Sequence, residues 1–170
     1  MQLILFRHGI ALEPDEAAAA GIREHERPLT PQGIARTRDS VEGLRTLVDA
    51  VQLIAHSPLT RARQTADLLA EAYPSARRAE TRALKPGTAP ETLAQFVAQR
   101  ARREAVEPLV LVGHEPDLGQ WAAWALTGRS QTLFGLKKAG ACLLEFEDRP
   151  ETSKARLLWL LTAGQLRKLG

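Results

Sequence analysis

Two histidines and two arginines stand where a fold could bring them together. Arg7-His8-Gly9 follows the apolar run Leu3 to Phe6, Arg61 lies shortly after the run Val51 to Ala55, and Gly113-His114 follows the run Leu109 to Val112. A guanidinium donates two parallel bonds to phosphate oxygens. An imidazole can serve as nucleophile, base or charge partner. A glycine permits a tight turn and close approach of backbone N–H groups to an anion. Four such donors, with no carboxylate required among them, ask for a dianion, and a phosphoryl group is the natural candidate.

The elements around these residues decide whether they can meet. Leu3 to Phe6 reads as a buried strand, Val51 to Ala55 as a second, Arg77 to Thr81 as a third and Leu109 to Val112 as a fourth, the last a continuous apolar β-rich run. Ile10 to Arg27 reads as a loop with one helical turn. Thr30 and Pro31 then cap and open a helix to about Val48, with Ile34, Val41, Leu44 and Val48 at helical spacing. Ser57 and Pro58 are placed to cap and open a second helix to about Tyr73, and Pro90 opens a third to about Arg103. A fourth helix runs through Trp121 and Trp124, read as core residues on one helical face. Gly128 to Lys138 is a loop. Ala141 to Phe146 and Ala155 to Thr162 form a hairpin with a long turn, and a short helix follows Gly164. Strand–helix alternation with a terminal hairpin predicts a three-layer α/β/α sandwich, its central sheet mostly parallel with an antiparallel edge strand. Parallel strands place their carboxyl ends on one edge, where open α/β sheets bind ligands.

Bulk properties narrow the field. The 170 residues fit one domain spanning 1–170. The lone cysteine, Cys142, excludes an internal disulfide and sits in an apolar run as a core residue. No Cys/His cluster has metal-ligand spacing. The N-terminal apolar run is too short for a signal peptide or membrane span, so a cytoplasmic location is expected. Lysine and arginine number 23 against 20 acidic residues, too slight an excess to imply a polyanionic partner. The basic region Arg77, Arg78, Arg82, Lys85, Arg100, Arg102 and Arg103 reads as solvated surface. No aromatic residues interleave with it to stack on bases, which excludes a nucleic-acid binder. His25 reads as solvated, and His56 as hydrogen-bonded to its own turn.

The motifs carry a resemblance. Leu5-Phe6-Arg7-His8-Gly9 resembles the signature of the histidine phosphatase superfamily, with its phosphoglycerate-mutase-like fold. Ser57-Pro58 followed by Arg61-Ala62 and Gln64-Thr65-Ala66 resembles its second motif, and Gly113-His114 its third. Arg27-Pro28-Leu29-Thr30 with Gly33, Leu84-Lys85-Pro86-Gly87, Gly113-His114-Glu115-Pro116-Asp117 and the ending Leu157-Leu158-Trp159-Leu160 resemble the SixA-type phosphohistidine phosphatases. The resemblance implies that His8 attacks phosphorus and becomes transiently phosphorylated. Arg7, Arg61 and His114 hold the phosphoryl oxygens, and Gly9 lets a backbone carbonyl fix the His8 ring. Arg27 is a further substrate-side cation. No metal or cofactor is implied.

Larger relatives carry an acid after the third strand for an alcohol leaving group. The corresponding position here is Ala83, with Glu80, Glu91, Glu115 and Asp117 as alternatives. An alkoxide leaves poorly without an acid, whereas imidazole leaves a P–N bond more readily. The expectation is therefore a phosphatase acting on a phosphorylated protein histidine, in a phosphotransfer domain or a phosphocarrier protein. A small-molecule phosphomonoesterase and a non-catalytic phosphoprotein-binding module are the alternatives.

Overall fold

Leu3 to Phe6 and Leu109 to Val112 are fully buried, as strands covered on both faces must be. The computed structural model describes residues 1–103 and 108–170, apart from the side chains of 101–103, so Arg102 and Arg103 of the basic region lie outside the described side chains. One six-stranded sheet contains β1 (Gln2–Arg7), β2 (Leu53–His56), β3 (Arg77–Glu80), β4 (Leu109–Gly113), β5 (Ala141–Glu145) and β6 (Arg156–Leu161), in the order β3-β2-β4-β1-β5-β6. The strands β1 to β4 are mutually parallel. The antiparallel edge is built as a hairpin: β5 runs against β1, and β6 against β5.

Helices cover both faces, selected by strand alternation. On one face Ile4, Phe6, Val110 and Val112 pack with Val41 and Leu44 of α2 (Pro31–Arg45), Ala62, Ala66 and Leu69 of α3 (Thr60–Ala72) and Leu166 of α6 (Ala163–Leu166). On the other, Leu3, Leu5, Leu109 and Leu111 pack with Leu93 and Val97 of α4 (Pro90–Arg103) and Leu118 and Trp121 of α5 (Asp117–Thr127). Trp121 is core, as expected, and its indole N–H donates to the Pro90 carbonyl at 3.0 Å. Cys142 is buried. Among the described residues, no helix is long and apolar enough to cross a membrane.

Several boundaries differ from the sequence reading. Ile10 to Arg27 holds α1 (Pro14–Ala19) and also a 3-10 turn at Glu24–Glu26. Helix α3 begins at Thr60, two residues after Pro58, and Leu59 occupies its cap position without a side-chain cap. The Ser57 hydroxyl has a second partner, described below. Helix α6 begins at Ala163, before Gly164, because Thr162 and Gln165 form a capping box there.

The segment that opens α2 also fastens the turn after β1. The Thr30 side chain caps the helix by accepting from Gly33 N–H at 2.9 Å, and Thr30 N–H donates to the Ile10 carbonyl at 3.0 Å. A Cβ on Gly33 would run into that same Ile10 carbonyl. Gly33→Ala is therefore expected to destabilise the fold by about 1–3 kcal/mol through overpacking against backbone. Urea denaturation at neutral pH measures it.

Candidate active site

Strand register brings the predicted residues together. Arg7 on β1 pairs with Gly113 on β4, and His56 on β2 pairs with Val112 on β4. His8, His114 and Ser57 are thus the first residues beyond three adjacent strand ends. His8 N–H donates to the Gly113 carbonyl, and Ser57 N–H to the Val112 carbonyl, each at 3.1 Å. The two imidazole rings lie 5.0 Å apart. Arg61 enters from the first turn of α3. Arg7, His8, Arg61, His114 and Arg27 all line one cleft of about 1030 Å³.

Each ring has a defined orientation. His8 Nδ1 lies 2.7 Å from the Gly9 carbonyl, which can only accept, so Nδ1 carries the proton and Nε2 keeps its lone pair. Gly9 N–H donates to Thr65 Oγ1 at 3.0 Å, and that hydroxyl donates to the Arg61 carbonyl at 2.7 Å. One threonine therefore ties the histidine turn to the helix that delivers Arg61. A Cβ on Gly9 would collide with Thr37 Oγ1, so close approach is what requires glycine there. His114 Nε2 lies 2.9 Å from Ser57 Oγ. The Ser57 hydroxyl accepts Leu59 N–H at 3.4 Å. Its own proton is available to His114 Nε2, and in the tautomer that this donation selects the His114 proton is on Nδ1.

Arg7 is half-buried, and its Nη1 donates to the Leu136 carbonyl at 2.7 Å. Arg61 is buried, and its guanidinium reaches the Glu24 backbone carbonyl at 3.0 Å and the Glu24 carboxylate at 3.1 Å. Among the described residues four buried side-chain polar atoms are without partners: Thr37 Oγ1, Arg7 Nε, Arg61 Nε and His114 Nδ1. The last three belong to residues that line the one cleft.

Burial dominates the electrostatics. Desolvation lowers the pKa of both Arg7 and Arg61; neighbouring Arg27 depresses Arg61 further, while Glu24 opposes the shift. His8 is held down to about 3, first by desolvation and then by His114, Arg61 and Arg7, with the Gly9 hydrogen bond opposing. His114 is held down to about 3 by desolvation, Arg61, Arg7 and Arg27. Both rings are therefore neutral near pH 7.

The other predicted residues divide. Arg27 lines the cleft, but its guanidinium is bound to both Glu24 carboxylate oxygens and to the Leu12 carbonyl. Glu80 and Glu115 line the cleft; Glu91 and Asp117 do not, and Asp117 instead accepts Gly87 N–H at 2.7 Å. Burial raises the Glu115 pKa, and Glu115 Oε1 accepts Leu136 N–H at 2.9 Å. Glu115 thus holds the loop residue whose carbonyl receives Arg7. Ala83 offers no acid. His25 is exposed on the cleft wall, and His56 is buried with Nδ1 2.9 Å from the Ser57 carbonyl.

Sequence reasoning treated the donors as free of carboxylates. Glu24 corrects that, because its turn folds over Arg61. Ser57, read as a helix cap, orients His114 instead. Thr65 stood in a recognised motif without a role. Contacts between residues 24 and 61, or 7 and 136, leave no local signal.

The description histidine phosphatase superfamily (branch 1) matches residues 3–85. An uncharacterized protein of Picosynechococcus sp. strain PCC 7002 is 41% identical over 142 residues, covering 82% of each chain. The protein histidine phosphatase SixA, solved with tungstate, shares the fold at a TM-score of 0.81 and 20% identity, covering 98% of this chain and 99% of its own. A mycobacterial glucosyl-3-phosphoglycerate phosphatase, solved with VO3, shares it at 0.73 and 17%, covering 95% and 99%.

The neutral imidazoles set a pH dependence of stability. Their folded pKa values near 3 lie below the ordinary 6.5. Between these limits the unfolded chain takes up protons that the folded site refuses. Their contribution is complete above about pH 6.5 and is lost as pH falls towards 3, by up to about 1.4 kcal/mol per pH unit for each ring. Urea denaturation from pH 6 to 4 should therefore give a shallower stability slope for His114→Gln than for wild type. Equal slopes would mean that His114 is not held neutral.

Proposed function

The chain belongs to the histidine phosphatase superfamily, and we propose that it removes the phosphoryl group from a protein histidine through a covalent intermediate on His8. The observation that carries this reading is the His8 ring: its only donor is committed to the Gly9 carbonyl, and its unprotonated Nε2 belongs to a ring lining a cationic cleft. That SixA is complexed with tungstate and the mycobacterial phosphatase with VO3, both oxyanions, supports reading this cleft as an oxyanion site.

In the first step the His8 Nε2 lone pair attacks phosphorus. The P–N bond of the substrate breaks, and its electron pair stays on the departing imidazole, which takes up a proton from solvent. The Nδ1–H to Gly9 carbonyl bond supports the charge that develops on the His8 ring. Arg7, Arg61 and His114 Nδ1–H receive the phosphoryl oxygens as charge spreads over them. In the second step water attacks phosphorus and gives up a proton to solvent, and the P–Nε2 bond breaks with its electron pair returning to Nε2. These side chains meet the phosphoryl charge without a metal ion or cofactor. The partner this reading requires is a phosphotransfer domain or phosphocarrier protein, and the compartment is the cytoplasm.

A second reading has one observation in its favour. Glu80 and Glu115 line the cleft, and burial raises the Glu115 pKa towards that of a proton donor. Either could protonate an alcohol, as a small-molecule phosphomonoesterase needs.

Hydrolysis rates with a chelator present test both readings. A phosphohistidine-bearing domain is expected to turn over with kcat/KM on the order of a hundredfold above small phosphomonoesters, and His8→Ala to lose roughly a thousandfold or more. Faster turnover of esters, suppressed by Glu80→Gln or Glu115→Gln, would favour the phosphomonoesterase. Phosphate binding with no turnover of either would leave a binding module.

A further inference from the structure

Arg61 is already occupied by an anion from its own chain. The Glu24 carboxylate sits 3.1 Å from Arg61 Nη2 and also takes both Nε and Nη2 of Arg27, at 2.6 and 2.8 Å. The hydrogen bond from Arg27, with the charges of Arg27 and Arg61, lowers the Glu24 pKa against the opposing desolvation, so this carboxylate is ionised at neutral pH. The arginines it joins are largely buried, their side chains 6% and 12% exposed, yet the Glu24 side chain is 61% exposed. A carboxylate in that position can leave for water at little desolvation cost. It stands on a three-residue 3-10 turn preceded by Gly21 at φ +70°.

We propose that Glu24 is a displaceable carboxylate that neutralises Arg61 until a dianionic phosphoryl group takes its place. This rests on the reading of the cleft as a phosphoryl site and adds a determinant of its selectivity. Exchanging one carboxylate for a monoanion gains no net charge attraction at Arg61. Exchanging it for a dianion gains a full charge against Arg61, with Arg7 lining the same cleft. Glu24 therefore biases the cleft towards doubly charged ligands. Its departure also releases Arg27, which now lines the cleft with its guanidinium tied to Glu24.

The alternative is that Glu24 merely positions Arg61. The two roles predict opposite signs. Inorganic phosphate near pH 8 is the probe, its dissociation constant read by calorimetry for wild type, Glu24→Gln and Glu26→Gln. Glu26 is on the same turn but pairs with Arg23, so Glu26→Gln removes the same charge without touching Arg61. Under displacement, Glu24→Gln binds phosphate about three- to fivefold more tightly, the scale of one partly exposed ion pair. Glu26→Gln stays within about twofold of wild type, and nitrate competes measurably only in Glu24→Gln. Weaker or unchanged phosphate binding in Glu24→Gln overturns the proposal. Glu24→Asp, which retracts the carboxylate by one methylene, serves if the Gln variant does not fold, with the same sign expected. Phosphate binding to none of the variants would instead sink the phosphoryl reading on which the proposal rests.

Discussion

Burying guanidinium and imidazole groups side by side is the constraint on which the site depends. Desolvation pushes Arg7 and Arg61 down from the ordinary arginine range and holds His8 and His114 near 3. Positive charge removed from water is costly unless an anion or an array of acceptors answers it. The protein answers only in part. Arg7 has a neutral carbonyl, Arg61 a carbonyl and one largely solvated carboxylate, and Arg7 Nε, Arg61 Nε and His114 Nδ1 are among the buried polar atoms without a partner in the described residues. A site left deficient in negative charge is suited to an oxyanion. The same desolvation keeps the His8 Nε2 lone pair available at neutral pH, when an ordinary histidine would be partly protonated. On the proposed reading, anion binding and nucleophilicity have one physical origin.

The scaffold turns that constraint into geometry. With β1 between β4 and β5, and β4 between β1 and β2, three strand ends deliver His8, His114 and Ser57 side by side. Around them, hydrogen bonds set ring orientation rather than bulk stability: Gly9 for His8, Ser57 for His114, Thr65 for the turn and the helix together. Glu115 orders the loop whose Leu136 carbonyl receives Arg7. An orientation error of an ångström in such an array costs far more rate than stability.

The strands and most helices were legible because their signals are local. Leu3 to Phe6 and Leu109 to Val112 are apolar runs, and Thr30-Pro31 is a cap with a proline in the first turn. Parallel order then implied that Arg7, His8, Arg61 and His114 would share one edge. The misplaced features are those decided by distant partners. Ser57 has the chemistry of a cap, and it serves His114 instead because β2 and β4 are neighbours. Glu24 sits in a polar, glycine-containing stretch that has no periodic pattern to read. Arg27 was legible as a cleft residue but not as one tied to Glu24, since that pairing depends on the turn between them.

The central claim is that His8 is the nucleophile and His114 is not. Its most direct measurement is the site of covalent phosphorylation during turnover. Enzyme mixed with a radiolabelled phosphohistidine domain, quenched in alkali within milliseconds and digested, should carry an alkali-stable, acid-labile label on His8, at Nε2. His114→Ala should still acquire some label, more slowly, and His8→Ala none. Label on His114, or turnover with no labelled enzyme at any time, would contradict the account.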